Sequence, residues 1–261
     1  MGTDSFLRLD NQWIWVFGGA GYLGQAVIAQ LISAGAKVLC VDLDNRAALA
    51  AKAYGAGGKV VPATLDVGQV EAIPAFVKEN AARYGVPAGM VNLTFASTAK
   101  TMEDLTAEDF DRANHTGITA GFVLAREVGS LMKEKGKGSI ILFSSMYGMV
   151  SPRAELYQAP MNKNPVEYGV GKAGIIQMTK YLAVHWAGSN VRCNCISPGP
   201  FPNPAVQQQH PAFVERLAGQ SPMGRVGHAA EIAGPVAFLL SDAAAYITGH
   251  NLVVDGGWTC W

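Results

Sequence analysis

Tyr168 and Lys172 lie four residues apart in "EYGVGK" (167–172), a spacing that places two side chains on one face of a helix. A tyrosine phenol has a reference pKa of about 10, and lowering that pKa to about 7 requires about 4 kcal/mol. A lysine ammonium about 4 Å away supplies roughly that amount at an effective dielectric constant of 20. The pair therefore predicts a tyrosine that accepts or donates a proton.

Ser145 strengthens this interpretation, because Y-x-x-x-K alone is common on solvated helix faces. It follows an apolar run, "SIILFS" (139–144), that predicts a buried strand. A hydroxyl at the carboxyl end of a strand can bond a reacting carbonyl or alcohol oxygen, although a turn serine is the alternative. Ser144 should face the other way if the strand alternation continues.

A glycine-rich stretch, "FGGAGYLGQAV" (17–27), follows the first apolar run and opens the first predicted helix. Gly18, Gly21 and Gly24 allow a tight turn and let the backbone N–H groups, with those of Tyr22 and Leu23, approach a pyrophosphate. The stretch predicts a dinucleotide site; a purely structural turn is the alternative.

Two carboxylates complete the predicted nucleotide site. Asp42 ends the second predicted strand, where a carboxylate accepts the ribose hydroxyls and repels a 2′-phosphate. This favours NAD over NADP, although Arg46 could pair with that phosphate. Asp66 closes the third predicted strand, where it either contacts adenine or caps a helix.

Short apolar runs alternate with helical stretches along the chain. The runs at 13–17, 37–42, 59–66, 89–94, 139–144, 191–197 and 251–256 predict buried strands. The stretches at 22–34, 46–54, 69–84, 106–133, 166–188 and 229–241 predict helices. We therefore expect an α/β fold: one Rossmann-like domain over 1–261, with a doubly wound parallel sheet of about seven strands and helices on both faces.

Two connections, 145–165 and 198–228, are long for such a fold. Long connections in compact domains are commonly functional, and ligands bind beyond the carboxyl ends of the strands of open sheets. We expect both segments to be active-site or substrate loops.

Composition limits the class of protein. The 20 basic and 20 acidic residues balance, which argues against a nucleic-acid partner. The apolar stretch 13–32 contains four glycines and follows no basic cluster, so it favours a strand, turn and helix over a signal or membrane anchor. We expect a cytoplasmic protein with reduced cysteines and no metal site.

These features together resemble the short-chain dehydrogenase/reductase family over nearly the whole chain. Matching stretches are "GGAGYLG", "LDV", "GSIILFSS", "EYGVGKAG", "VRCNCISPG" and residues 224–257. The resemblance implies a catalytic group of Ser145, Tyr168 and Lys172, with Lys172 also holding the nicotinamide ribose. It further implies that Asp66 and Val67 flank adenine, that Pro198 and Gly199 border nicotinamide, and that the protein is a homotetramer or dimer.

The chain departs from the family pattern at three places. Phe17 replaces the usual threonine before the first glycine, and the middle glycine is displaced to Gly21. The element N-N-A-G appears as "NLTF" (92–95), in which only Asn92 matches, so the wall beside adenine is altered. "NHTG" (114–117) points to Asn114 as the fourth catalytic residue, whereas a second alignment places Gly117 there.

The interval between Ser145 and Tyr168 is longer than the family usually has. Its polar side chains, among them Arg153, Tyr157 and Gln158, favour a polyhydroxylated or charged substrate. An exposed excursion or an oligomer contact is the alternative.

The sequence therefore predicts an NAD(H)-dependent oxidoreductase that interconverts a secondary alcohol and a ketone, on a sugar-like or cyclitol substrate. One alternative is a catalytically silent nucleotide-binding member that acts as a sensor or scaffold. Another is an isomerase, epimerase or dehydratase that uses bound NAD.

Overall fold

The computed structural model describes residues 6–55 and 58–261, and its seven strands form one parallel sheet in the order β3-β2-β1-β4-β5-β6-β7. The strands are β1 Trp13–Phe17, β2 Lys37–Asp42, β3 Val60–Thr64, β4 Gly89–Asn92, β5 Gly138–Phe143, β6 Val191–Pro198 and β7 Asn251–Val254. The predicted fold class is confirmed. The order reverses between β1 and β4, which places the topological switch point at the ends of these two strands.

Nine helices connect the strands in the described ranges. They are α1 Tyr22–Ser33, α2 Arg46–Lys52, α3 Ile73–Tyr84, α4 Ala107–Asn114, α5 Ala120–Lys135, α6 Val166–Trp186, α7 Pro204–Gln209, α8 Pro211–Gln220 and α9 Ala229–Leu240. Two apolar clusters cover the sheet. One contains Trp15 and Leu124, and the other contains Ile14 and Ile28. Because Ile14 and Trp15 alternate along β1, the two clusters lie on opposite faces.

The single helix predicted over 106–133 is interrupted. α4 ends at Asn114, a π-helical turn spans His115–Thr119, and α5 begins at Ala120. The Phe95 ring packs against this turn, since a Cβ on Gly117 would lie 2.2 Å from it. π turns inside helices commonly mark functional sites.

The long connections contain more structure than the sequence predicts. Residues 198–228 form α7 and α8, each of which begins with a proline, Pro204 and Pro211, at a position where a missing N–H costs nothing. Residues 145–165 contain two short 3-10 turns, Met146–Gly148 and Ala154–Leu156. Among the described helices, none is both long and apolar enough to cross a membrane.

Candidate active site

The glycine-rich loop joins β1 to α1 and is held in a tight turn. Gly18 has φ +77°, a left-handed conformation that favours glycine, and its N–H donates to the Val41 carbonyl over 2.8 Å. A Cβ on Gly24 would lie 2.3 Å from the Gly18 carbonyl oxygen, so the first turn of α1 touches the loop backbone. The N–H groups of Gly18 and Gly21 are bonded within the turn, to the Val41 and Gly18 carbonyls. The N–H groups left for a ligand are those of the first turn of α1, which begins at Tyr22.

Asp42, at the end of β2, is tied to this loop. One carboxylate oxygen accepts the Ala20 N–H at 2.9 Å, and the other accepts the Leu43 N–H at 2.8 Å. The carboxylate thus fixes the turn between β1 and α1. Arg46, the first residue of α2, is exposed.

A cavity of about 400 Å³ runs from this loop to the carboxyl ends of β4, β5 and β6. Its lining brings together most of the residues predicted to act on cofactor or substrate: Gly18, Gly21, Tyr22, Leu23, Gly24, Ser145, Tyr168, Lys172, Pro198 and Gly199. The start of α1 at one end and the proton-transfer groups at the other fit a dinucleotide laid across the switch point.

Four of the predicted nucleotide contacts lie outside the lining of this cavity. The Asp66 carboxylate accepts the Gly68 N–H at 2.9 Å, which fixes the turn after β3 but caps no helix, because α3 begins after Ala72. The neighbouring Val67 is buried in the core. The Asn92 amide oxygen accepts the N–H and hydroxyl of Thr94, so it fixes the chain as it leaves β4. Asp42, described above, is the fourth predicted nucleotide contact outside this lining.

Tyr168 sits in the first turn of α6 with Ser145 beside it. Burial raises the pKa of the Tyr168 phenol, and the Ser145 hydroxyl partly offsets this by favouring the phenolate. The Ser145 hydroxyl accepts the Tyr147 N–H at 3.1 Å, which orients it at the end of β5. The adjacent Ser144 donates instead to the Lys172 carbonyl over 2.7 Å and so attaches α6 to the strand end.

Lys172 lies one turn further along α6 and is almost fully buried. Its Nζ donates to the Phe143 carbonyl over 2.9 Å and lies 5.5 Å from the centre of the Tyr168 ring. Burial lowers the pKa of Lys172 to about 7. The sequence argument gave this lysine a full positive charge, whereas burial favours its neutral form.

Asn114 ends α4 at the π turn, with its side-chain amide donating to the Phe110 carbonyl over 3.0 Å. Its side-chain oxygen is buried and has no hydrogen-bond partner in the described residues. Phe95, which carried no role in the sequence analysis, borders the same space and contacts Lys172. The departure of "NLTF" from N-N-A-G could have drawn attention to Phe95, but it did not indicate where the Phe95 ring would lie.

A second cavity, of about 790 Å³, lies between residues 100–103 and the connection 145–165. Tyr157 lines it, and its hydroxyl lies 2.5 Å from that of Tyr147, a residue that the sequence analysis did not select. Charge on Tyr168 would raise the pKa of both phenols, so the three tyrosines lie close together. The polar lining also includes Lys100, Glu103, Asn162, Lys163 and Asn164.

The other two predicted substrate contacts are not brought to either cavity. Arg153 is exposed and hydrogen-bonds the side chain of Gln220 on α8, and Gln158 is exposed. Arg153 is thus held by a helix that was not predicted. Across 6–55 and 58–261, no three His, Cys, Asp or Glu side chains are grouped so that they could hold a metal ion.

Comparison with known proteins defines the class. A family model described as enoyl-(acyl carrier protein) reductase matches residues 19–259. D-threitol dehydrogenase of Mycolicibacterium smegmatis is 31% identical over 265 residues, which cover 99% of this chain and 97% of that protein. 7alpha-hydroxysteroid dehydrogenase of Bacteroides fragilis is 29% identical over 258 residues, covering 97% and 96%.

A crystal structure of a short chain dehydrogenase from Leptospira borgpetersenii with bound NAD+ has the same fold, with a TM-score of 0.86 at 30% identity over 99% of this chain and 97% of that chain. The chain therefore belongs to the short-chain dehydrogenase/reductase family. It is an oxidoreductase that acts on hydroxyl or ketone groups.

Proposed function

We propose that this protein is an NAD(H)-dependent oxidoreductase that interconverts a secondary alcohol and a ketone, with Tyr168 as the acid/base. The observation that carries the proposal is the lining of one cavity by the glycine-rich loop, Ser145, Tyr168 and Lys172. Loss of any of these groups would have favoured a silent nucleotide-binding member instead.

The residues divide the work by position. The glycine-rich loop and the start of α1 bind the pyrophosphate, Lys172 holds the nicotinamide ribose, and Pro198 with Gly199 borders the nicotinamide. When bound, NAD accepts hydride from the alcohol carbon or NADH returns it. Ser145 bonds the substrate oxygen, and Tyr168 takes the hydroxyl proton during oxidation or gives it back during reduction. Asn114 would belong to the same group as the fourth member.

Cofactor preference is the first prediction. We expect NADPH to bind at least about tenfold more weakly than NADH, because a 2′-phosphate would approach the Asp42 carboxylate. Asp42→Asn keeps a side-chain oxygen that can accept the Ala20 N–H and removes the negative charge. It should therefore reduce the difference between the NADH and NADPH affinities. Fluorescence titration with both reduced cofactors measures this without a substrate.

Asp44→Asn is the matched control, since Asp44 is exposed two residues further along the chain. It should leave both affinities unchanged. A wild-type preference for NADPH would mean that Arg46 outweighs Asp42 and that the preferred cofactor is NADP. Binding of neither cofactor would favour the silent member.

The substrate class follows from the larger cavity. Its phenol, amide and charged groups can form hydrogen bonds with the hydroxyl groups of a polyol or sugar, which supports a sugar-like or cyclitol substrate. The resemblance to D-threitol dehydrogenase points to the same class of substrate. Screening polyols and sugars with NAD, alongside steroid alcohols, tests the choice.

Tyr157→Phe gives the second prediction. It removes one hydroxyl from the cavity and leaves the ring, so KM for the best polyol should rise by about two- to tenfold, the effect of one hydrogen bond. The value of kcat should stay within about twofold. Tyr246→Phe, at an exposed tyrosine after α9, is the control. An unchanged KM would show that the substrate does not use this phenol.

A further inference from the structure

The side chain of Phe95 occupies a slot between α4, the π turn and α6. A Cβ on Gly117 would lie 2.2 Å from its ring, and a Cβ on Gly171 would lie 2.6 Å from it. Both glycines therefore leave space that the ring fills. On its remaining sides the ring packs edge-on against Tyr168, with the ring centres 5.3 Å apart.

The face of this ring covers the buried end of Lys172. The ammonium nitrogen lies 4.1 Å from the centre of the Phe95 ring, within the range of a cation–π contact. The nitrogen has one hydrogen-bond acceptor in the described residues, the Phe143 carbonyl. An ammonium has three donors, so the ring stands where water or a polar group would otherwise complete its hydrogen bonds.

The segment that carries Phe95 is held on both sides of the ring. The Asn92 side chain binds Thr94 before it, and Glu167 binds Thr98 after it, through the N–H at 3.0 Å and the hydroxyl at 2.8 Å. Glu167 is fully buried and precedes Tyr168 in the first turn of α6. The ring is thus positioned by the helix that carries the proton-transfer residues.

We propose that Phe95 is a positioning residue for Lys172. The Phe95 ring excludes water from the Lys172 ammonium and directs that ammonium onto the end of β5. This inference rests on the proposed function only for its consequence in turnover; the contact itself involves neither cofactor nor substrate. In the N-N-A-G element of the family a glycine stands at this position, so the ring is a departure from that pattern.

The charge state of Lys172 gives the readout. Burial is the cause of its lowered pKa of about 7, and Phe95 supplies part of that burial. The titratable group that faces Lys172 is the Tyr168 phenol on the same helix. From other elements in the described part of the chain, the Phe95 ring and the Phe143 carbonyl contact the ammonium, and neither carries a charge.

The test is a pH titration of lysine Cε resonances in protein labelled with ¹³C-lysine, without cofactor or substrate. The Lys172 resonance is assigned by its absence from Lys172→Met, with Lys172→Arg as a second reference. We expect a wild-type midpoint near 7. Phe95→Gly removes the cation–π contact, which favours the charged form, but it admits water, which favours that form more, so the midpoint should rise by at least about one pH unit. Phe95→Leu keeps the apolar cover and loses the ring face, so the midpoint should not rise.

Gly117→Ala tests the slot without changing Phe95 or a proposed catalytic residue. The three atoms nearest to the added Cβ all belong to the Phe95 ring, so the ring must move. The midpoint of Lys172 should rise as it does in Phe95→Gly. In the Phe95→Gly background, Gly117→Ala should cost no further stability, because the ring that the added Cβ meets is gone.

A wild-type midpoint above about 9, or an equal midpoint in wild type and Phe95→Gly, would overturn the proposal, because the ring would not set the hydration of Lys172. These outcomes are independent of the proposed function. Shifted midpoints in a protein that binds no dinucleotide would keep the role of Phe95 and refute the oxidoreductase. Unshifted midpoints in an active enzyme would refute the role of Phe95 and keep the oxidoreductase.

Discussion

Tyr168→Phe should retain NADH binding and lose turnover, with kcat falling by about 10²- to 10⁴-fold. The substitution removes the Tyr168 hydroxyl, whose ionised form is stabilised by the Ser145 side chain, and keeps the aromatic ring that packs against Phe95. The fold should therefore be unchanged. Stopped-flow or steady-state oxidation of the best polyol measures the loss, and NADH fluorescence measures the retained affinity.

Tyr181→Phe is the matched control for this prediction. Tyr181 lies on the same helix and is 70% exposed, so its hydroxyl should have no part in the reaction. We expect its kcat and KM to equal those of the wild type. If Tyr168→Phe kept more than a tenth of the wild-type kcat, Tyr168 would not be the acid/base, and Tyr147 or Tyr157 would be examined next.

Gly24→Ala should weaken NADH binding by at least about tenfold and destabilise the protein by about 1–3 kcal/mol, the cost of forcing atoms into a filled space. The new Cβ would lie 2.3 Å from the Gly18 carbonyl oxygen and 2.8 Å from Gly19, and both are backbone atoms that cannot rotate away. The loop must move off α1, which disrupts the proposed pyrophosphate site. NADH titration and urea unfolding measure the two effects.

Gly234→Ala is the matched control with the same chemical change. Gly234 is inside α9, and a Cβ there would meet no heavy atom within 4 Å beyond its own helix backbone and chain neighbours. Alanine should leave NADH affinity unchanged and bring no gain in stability, because Pro235 follows and disfavours a Cβ-bearing residue before it in a helix. A loss of affinity in Gly24→Ala no larger than in Gly234→Ala would show that the glycine-rich loop does not bind the dinucleotide.

The sequence by itself determined the fold and the location of the cavity. Most strands are short apolar runs whose signal lies within about six neighbouring residues, as in "WIWVF" for β1. The prediction that every strand is buried was wrong for β3 and β7, which are partly exposed because they form the two edges of the sheet. The glycines of the first turn and the Tyr168–Lys172 spacing are equally local. Strand–helix alternation then places the ends of the strands, with Ser145, at one edge of the sheet.

The charge on Lys172 was decided only by the tertiary structure. Local spacing indicates a lysine beside a tyrosine and predicts an ammonium that lowers the phenol pKa. Burial instead lowers its own pKa to about 7, and the Phe95 ring, which is distant from Lys172 in sequence, covers its ammonium. Burial depends on which segments meet in space, and the departure "NLTF" does not show where its phenylalanine points.

The substrate side shows the same division. The length and polarity of 145–165 predicted a substrate loop, and Tyr157 does line a cavity. Arg153 instead bonds Gln220, because α8 forms in a connection that the sequence analysis treated as a loop. Residue types within a segment are encoded locally, whereas the partner of each side chain depends on how separate segments pack together.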